Sequence, residues 1–262
     1  MAFGSARSTR RARGVTALVV PHGAVRIRRI PILPMGMVNA HLVVSRAGAI
    51  LVDAGLPDTE ASVHRALQRE GLGWGDLRLI VVTHAHIDHA GNAARLRQLS
   101  RAPVCAHRGD LDHYLQRRPM SFCPTGLFGR LFLRSGLIQR PYDALEPDIL
   151  LHAEEVLDLA RFGIDGQVRP TPGHTAGSLS VCLDDGHALV GDLVASGILL
   201  GGIAWTSRAK SPPFEDEPAL VARTLGRLAD EGARRFYLGH GGPITADEVL
   251  RHTQRLLRQH GG

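Results

Sequence analysis

The sequence predicts an α/β fold in which two β-sheets pack face to face and helices cover their outer faces. Short apolar segments with strand character come first in hairpin pairs and then alternate with segments of helical period, and both halves of the chain show this order. The 262 residues, 44% of them hydrophobic and 21% charged, can bury a sizeable core. Because no linker composition separates the halves, we predict one domain over residues 15–262.

The first half of the chain is predicted to contain two strand pairs, followed by helices and strands in alternation. The pairs are 15–20 with 25–30, around a turn at Pro21–Gly23, and 40–44 with 49–53, joined at Ala47–Gly48. The following elements are a helix over 58–70, a buried strand over 77–83, a helix over 91–99 and a strand over 103–106.

The second half repeats this style. Its predicted strands are 167–171, 178–183, 188–190 and 235–238, and its predicted helices are 217–230 and 245–259. Two sheets with helices outside are the simplest assembly of such halves.

Two long segments, 119–145 and 193–214, do not fit regular elements, and loops of this length are often functional. The first is rich in aromatic residues and contains an amphipathic stretch over 126–135. We predict a lid insertion at 119–145, with a core cover or a dimer interface as alternatives. The candidate substrate contacts are Phe122, Phe128, Phe132 and, from the second segment, Trp205.

The net charge of +6 is unevenly distributed. Residues 1–52 hold eight arginines and no acidic residue, whereas the remainder carries 23 basic and 25 acidic side chains. A nucleic-acid-binding surface on the body of the protein is therefore not expected. Residues 1–14 are predicted to be a disordered arginine-rich tail. No apolar run approaches the roughly 18 residues of a membrane span, so no membrane association is predicted.

The cysteine and lysine counts bear on the source of the protein. Three cysteines, an odd number without a C-x-x-C pair, favour a reducing compartment, and we predict a cytoplasmic protein. Only one of the 31 basic residues is lysine, which is typical of a GC-rich bacterial genome.

The densest cluster of chemically active residues lies in the segment 83–92. His84, His86, Asp88 and His89 fall within six residues, directly after a predicted buried strand. Imidazole and carboxylate are groups that zinc binds, and a short irregular loop can direct them at two centres. The segment therefore predicts a metal site.

With these residues the chain resembles the metallo-β-lactamase superfamily of metal-dependent hydrolases, whose H-x-H-x-D-H motif they match. Further family motifs follow in the family's order at 52–55, 172–178, 190–192 and 238–241, so that the resemblance covers about residues 40–245. It implies a four-layer αβ/βα sandwich, in which two mixed β-sheets are flanked by helices and the metals lie at one edge of the sheets.

The resemblance also implies the role of each site residue. The first metal would be held by His84, His86 and His174, and the second by Asp88, His89 and His240. Asp192 would bridge both metals, and Asp53 would form hydrogen bonds within the ligand loop. The implied cofactor is two Zn²⁺ ions, with iron or manganese as alternatives.

The implied activity is hydrolysis by a dinuclear zinc centre. Zinc lowers the pKa of bound water to about 7, so that a bridging hydroxide can attack the carbonyl of an ester, lactone or thioester. Asp88 would be the catalytic residue that relays a proton. No G-x-S-x-G, G-x-x-x-x-G-K-[ST] or G-x-G-x-x-G motif supports a competing mechanism.

The substrate is expected to be a small molecule with an apolar acyl part. Only 22 residues follow His240, too few for the helical region that binds glutathione in glyoxalase II enzymes, and residues 193–214 lack the tyrosine of quorum-signal lactonases. A β-lactam hydrolase and a mononuclear-iron oxidoreductase similar to persulfide dioxygenases stay open, as does a homo-oligomer. A non-catalytic binding protein would be expected to have lost ligands, and all seven are present.

Overall fold

The computed structural model describes residues 24–260. The tail predicted at 1–14 and the strand predicted at 15–20 lie outside the described residues. Within 24–260, no helix is both long enough and apolar enough to cross a membrane.

The first sheet is formed by the N-terminal half of the chain. Its strands are β1 (Arg26–Pro31), β2 (Asn39–Ser45), β3 (Gly48–Val52), β4 (Leu77–Val81), β5 (Val104–His107) and β6 (Ile149–Leu151), and they are neighbours in this order. β1, β2 and β3 pair antiparallel, and β3 to β6 pair parallel. The sheet is therefore mixed, as predicted.

The second sheet is also mixed. Its strands are β7 (Leu157–Asp158), β8 (Gly166–Pro170), β9 (Leu179–Leu183), β10 (His187–Leu189), β13 (Arg235–Tyr237) and β14 (Ile244–Thr245). Their spatial order is β14-β13-β10-β9-β8-β7, and only the β10–β13 pair is parallel among these described strands. The strands β11 (Ala195–Ser196) and β12 (Ala209–Lys210) form a separate antiparallel pair.

Helices complete the four layers. They are α1 (Glu60–Arg69), α2 (Ile87–Ala90), α3 (Ala93–Ser100), α4 (Leu111–Tyr114), α5 (Gly126–Arg134), α6 (Pro218–Asp230) and α7 (Ala246–His260). Leu67 of α1 and Leu96 of α3 pack on the outer face of the first sheet. Leu225 of α6 and Val249 of α7 pack on the outer face of the second. This is the αβ/βα sandwich that the resemblance implied.

The central core lies between the sheets. Val43, Ile50 and Leu79 of the first sheet meet Val168 and Val181 of the second, and all five are buried. Alternate residues of β3 and β4 face the helices instead, which explains why these strands read as continuous apolar runs.

The predicted elements are largely confirmed, with one clear difference in the first half. The helix expected over 91–99 begins at Ala93, and residues 87–90 form a separate turn of helix, α2. Gly91 lies between the two helices, and a Cβ on it would lie 2.3 Å from the Ile87 carbonyl oxygen and 2.6 Å from Pro57 Cδ. Gly91 therefore allows the chain to pass close to Pro57 at the point where α2 ends.

The motif residues lie together at one edge of the sandwich. Asp53 follows β3, His84 follows β4, His174 follows β8, Asp192 follows β10 and His240 follows β13. These strands run in the same sense within each sheet, so their carboxyl ends meet at a common edge. The fold thereby brings together residues that are more than 180 positions apart in sequence.

Candidate metal centre

Three histidines at this edge form the first ligand group. The Nε2 atom of His84 lies 3.0 Å from the Nδ1 atom of His86, and the Nε2 atom of His174 lies 3.2 Å from each of these two nitrogens. All three side chains are buried. Three imidazole nitrogens thus converge on one point inside the protein.

Asp88, His89 and His240 form a second group beside the first. The Nε2 atom of His240 lies 3.3 Å from Asp88 Oδ2, and the Nε2 atom of His89 lies 3.8 Å from the same oxygen. The ligand atoms of each group lie within 4.8 Å of one another.

Asp192 lies between the two groups. Its Oδ1 atom is 3.3 Å from His89 Nε2, and its Oδ2 atom is 2.9 Å from His240 Nε2 and 3.9 Å from His174 Nε2. A single carboxylate therefore reaches nitrogens of both groups, which is the position that a bridging ligand requires.

Hydrogen bonds on the far side of the rings set which nitrogen faces the centre. Asp53 Oδ1 accepts from the Thr83 backbone N–H at 2.9 Å and from its hydroxyl at 2.8 Å. Thr83 Oγ1 in turn lies 3.0 Å from His84 Nδ1, and Asp53 Oδ2 lies 2.9 Å from His89 Nδ1. His240 Nδ1 contacts the Met37 carbonyl oxygen. With the ring proton on Nδ1, the Nε2 atoms of these histidines present lone pairs to the centre.

The donor set fits metal ions. Zinc–nitrogen bonds of about 2.0–2.1 Å in a tetrahedron place ligand nitrogens about 3.3 Å apart, close to the spacings of the three-histidine group. Neutral imidazoles carry one ring proton each, so three converging nitrogens cannot satisfy one another by hydrogen bonds alone. Among residues 24–260, the buried Oδ1 atom of Asp88 has no hydrogen-bond partner, so it is free to accept a further ligand bond.

Burial keeps the first group neutral. It lowers the pKa of His84 and of His86 well below the ordinary value, and neighbouring histidines lower both further. Burial likewise lowers the pKa of His174 to about 4, although Asp192 opposes this shift. Neutral imidazole is the form that binds a metal, so this group needs no deprotonation at neutral pH.

The second group behaves in the opposite way. Burial disfavours the charged imidazolium of His89, but Asp192, Asp53 and Asp88 outweigh burial and raise its pKa well above the ordinary value. Burial also acts against the charge on His240, yet Asp192 and Asp88 raise its pKa to about 10. Without a metal, protons on these two histidines offset part of the negative charge of the surrounding carboxylates.

Metal uptake at pH 7 should therefore release about two protons, one each from His89 and His240, because the metal takes the same nitrogens. The apparent affinity for the metal at Asp88, His89 and His240 should then rise by about two decades per pH unit, until the pH approaches the His240 pKa of about 10. Calorimetric titration in buffers of different ionisation enthalpy measures the proton count. Release of no protons between pH 6 and 8 would contradict this charge balance.

The four aromatic residues that were predicted to contact substrate differ in their position relative to the metal centre. The Phe122 ring lies 5.0 Å from the His86 ring, and Phe132 lines an apolar cavity of about 530 Å³ that also contacts Asp88. Phe128 stacks on Phe132 at 5.8 Å, one layer away from the cavity. Trp205 does not line this cavity; it is 67% exposed, and the Arg208 guanidinium lies 6.0 Å from its ring.

Sequence reasoning missed several residues at the site. Phe214 is buried and lies 6.3 Å from the His86 ring, and it stacks on Phe132 at 5.8 Å. Asp110 and Tyr142 contact the loop that carries the histidines. None of the three belongs to a local motif, and only long-range contacts bring them to the centre.

The amphipathic stretch at 126–135 forms the helix α5, and hydrogen bonds to the segment 212–215 hold the residues before this helix. The Thr125 N–H donates to the Pro213 carbonyl at 2.8 Å, and the Glu215 N–H donates to the Cys123 carbonyl at 3.0 Å. Leu127 and Leu131 remain exposed on the outer face. The role of 119–145 as a lid stays a prediction.

Comparison with known proteins gives consistent relatives. A sequence model of the metallo-beta-lactamase superfamily matches residues 33–240. The chain is 30% identical over 217 residues to the probable metallo-hydrolase YflN of Bacillus subtilis (strain 168), which covers 75% of this chain and 76% of that protein. It is 31% identical over 240 residues to the uncharacterized protein YobT of the same organism, covering 85% of this chain and 88% of that protein.

Solved structures show the same relationship. The metallo-beta-lactamase family protein TTHA1429 from Thermus thermophilus is 25% identical, with a TM-score of 0.62 over 90% of this chain and 79% of that chain. The BLEG-1 B3 metallo-beta-lactamase is also 25% identical, with a TM-score of 0.62 over 88% of this chain and 99% of that chain.

Proposed function

Because the chain belongs to the metallo-β-lactamase superfamily and is a metal-dependent hydrolase, we propose that two zinc ions at this centre serve hydrolysis of an ester, lactone or thioester. The observation that carries the proposal is the pair of adjoining ligand groups with Asp192 between them. The first metal would be held by His84, His86 and His174, and the second by Asp88, His89 and His240.

The metal ions would polarise the substrate carbonyl and lower the pKa of a water molecule. Asp88 lies where the second ligand group meets the apolar cavity, and it holds an unpartnered buried oxygen, Oδ1, among the described residues. The carboxylate is suited to orient the water and to take up its proton. His240, 3.3 Å away, fixes the other Asp88 oxygen.

The cavity supports a substrate with an apolar acyl group. Its walls come from the segments 33–38, 56–58, 87–88 and 132–141 and from Leu200, and most of its lining side chains are aliphatic or aromatic. Leu56, Ile87 and Phe132 are among them. Burial of a CH₂ group is worth about 0.8 kcal/mol, so a cavity of about 530 Å³ can select for acyl length.

Metal analysis combined with a substrate panel tests the proposal. Protein purified without chelators should hold about two zinc-like ions per chain. Matched acyl esters, lactones, thioesters and β-lactams should show turnover that chelation abolishes and zinc restores. A single bound iron in active protein would overturn the dinuclear zinc assignment and favour the oxidoreductase alternative.

A β-lactam substrate is the second candidate. It is favoured by the likeness to a B3 metallo-beta-lactamase at 25% identity over 99% of that chain. The amide of a β-lactam also contains a carbonyl group, so metals held by the same two ligand groups could polarise it. Preference for β-lactams over acyl esters of equal size in the panel would select this function.

Truncation of Phe132 to alanine should lower kcat/KM progressively with acyl length, because the ring lines the cavity. The loss should reach about tenfold for substrates whose chain spans the lost ring, from roughly 25 cal/mol per Å² of apolar surface. Phe162→Ala is the matched control, since Phe162 packs against the core between the sheets.

The alternatives for this segment give different results. If Phe132 belongs to the core, Phe132→Ala should have a strongly lowered melting temperature, and the dependence of kcat/KM on acyl length should not change. Leu131 is 53% exposed on the same helix. If this face forms a dimer interface, the Leu131→Ala variant should elute at a different volume from the wild-type protein.

A further inference from the structure

Asp110 is a buried carboxylate that belongs to none of the five sequence motifs. It ends the short 3₁₀ turn Arg108–Asp110 between β5 and α4, and it is 2% exposed. A carboxylate in such a place is costly unless its oxygens receive hydrogen bonds. Its partners therefore indicate what the residue does.

All three donors to Asp110 come from the loops that carry the first ligand group. Its Oδ2 atom accepts from the Ala85 N–H at 3.0 Å and from the Thr175 hydroxyl at 2.9 Å. Its Oδ1 atom accepts from the Gly177 N–H at 2.9 Å. Ala85 lies between His84 and His86, and Thr175 follows His174. One side chain thus joins the two loops that supply the three histidines.

The turn Arg108–Asp110 and the loop after β8 approach each other so closely that only glycine fits at two positions. A Cβ on Gly177 would lie 2.5 Å from the Asp110 Cγ atom, and a Cβ on Gly109 would lie 2.6 Å from the Ala176 carbonyl oxygen. The backbones of the 3₁₀ turn and of the loop after β8 are therefore in close contact. A shift of Asp110 would move both loops.

The backbone between His84 and His86 is held from both sides. Asp110 accepts from the Ala85 N–H, which belongs to the peptide unit next to His84. The Tyr142 hydroxyl donates to the Ala85 carbonyl at 2.7 Å, which belongs to the peptide unit next to His86. Both peptide units that separate the two ligands are held by hydrogen bonds, so the backbone positions from which the two imidazoles extend are held as well.

We propose that Asp110 is the positioning residue of the three-histidine group, and that affinity for the metal held by His84, His86 and His174 depends on its three hydrogen bonds. The inference rests on the proposed dinuclear centre. Asp53 contacts Thr83 and His89 in a comparable way. Asp53 supports both ligand groups, because it contacts His89 directly and reaches His84 through Thr83. The donors to Asp110, in contrast, all lie in the loops of the three-histidine group.

The Asp110→Asn variant tests whether Asp110 acts on the metal of the three-histidine group alone. Asp110→Asn keeps the side-chain size but offers one acceptor oxygen instead of two, so at least one of the three donors faces an N–H group. Outer hydrogen-bond partners of metal ligands contribute about 10–100-fold to metal affinity. We expect this loss for one of two metal equivalents and less than about threefold for the other. Asp112→Asn, exposed and two residues along, is the matched control.

The measurement is a titration of chelator-stripped protein with Zn²⁺ or Co²⁺ against a chromophoric competitor, together with melting curves of the metal-free proteins. The Co²⁺ absorption spectrum reports which ligand group has weakened, independently of turnover. Thr175→Val removes the hydrogen bonds of that hydroxyl with Asp110 and with Ser178, and Tyr142→Phe removes the one to the Ala85 carbonyl. Both variants should weaken the same metal equivalent, by less than Asp110→Asn does. They keep the test valid if Asp110→Asn does not fold.

The outcomes separate the two proposals. A lowered melting temperature with unchanged affinity for both equivalents would reduce Asp110 to a structural residue and overturn the inference. Equal weakening of both equivalents would overturn it as well. Wild-type protein that binds fewer than two equivalents would overturn the proposed dinuclear centre and this inference together.

Discussion

Gly239→Ala should abolish the metal centre while leaving most of the fold intact. A Cβ on Gly239 would lie 2.2 Å from Asp192 Oδ1 and 2.4 Å from His89 Cε1. Contacts this short force either the bridging carboxylate or the imidazole out of place. Because Asp192 reaches both ligand groups, displacement of its carboxylate should weaken both metals.

The expected result is a loss of more than about 10³-fold in kcat/KM with less than one metal ion retained per chain, since catalysis here depends on the polarising ions. Gly226→Ala is the matched control: it lies inside α6, and a Cβ there meets no atom within 4 Å. That change should leave activity unaltered and raise stability slightly, by about 0.5–1 kcal/mol. Full metal content and normal turnover in Gly239→Ala would contradict the placement of Asp192.

The sequence singled out the residues that the structure brings together at this centre because each of them lies in a short motif that follows a predicted strand. Parallel strands bring such ends to one edge, so the order of the motifs suffices to assemble the site. The predicted strands 40–44 and 49–53 correspond to β2 and β3, and 235–238 to β13. Their apolar runs are long enough to be recognised locally.

The sequence did not predict the contacts that depend on distant pairing. β6 and β7 contain three and two residues, too few to show a period, and they are strands because β5 and β8 pair with them. Asp110 resembles any turn aspartate in sequence. Its contacts with Thr175 and Gly177, 65 and 67 positions away, exist only in the folded chain.

The same limit applies to the aromatic residues. Phe122 and Phe132 were predicted to contact substrate, and Phe214 was not, although the three rings form one continuous cluster. Phe214 follows two prolines in a segment without a helical or strand period. The Pro124–Phe214 bridge brings it beneath α5, and this pairing has no local sequence signal.

Asp88→Asn should lower kcat by about 10²-fold or more, the scale of general acid–base catalysis, because the amide cannot take up a proton from the attacking water. Asn has nearly the same volume as Asp, so packing in the cavity should be preserved. In the metal-free protein, burial acts to raise the pKa of Asp88, but His89 and His240 outweigh it and lower the pKa to about 2, so the carboxylate is already ionised before metal binds.

Two comparisons isolate this effect from a loss of metal. Asp58→Asn removes a carboxylate from the same cavity without touching a ligand group, and it should leave kcat nearly unchanged. Metal content of Asp88→Asn, measured at saturating zinc, then separates weaker binding from slower chemistry. If turnover stays at the wild-type level with two metals bound, the proton is taken up elsewhere and Asp88 serves only as a ligand. If kcat falls with both metals in place, the carboxylate acts in the reaction itself, where the second ligand group opens into the apolar cavity.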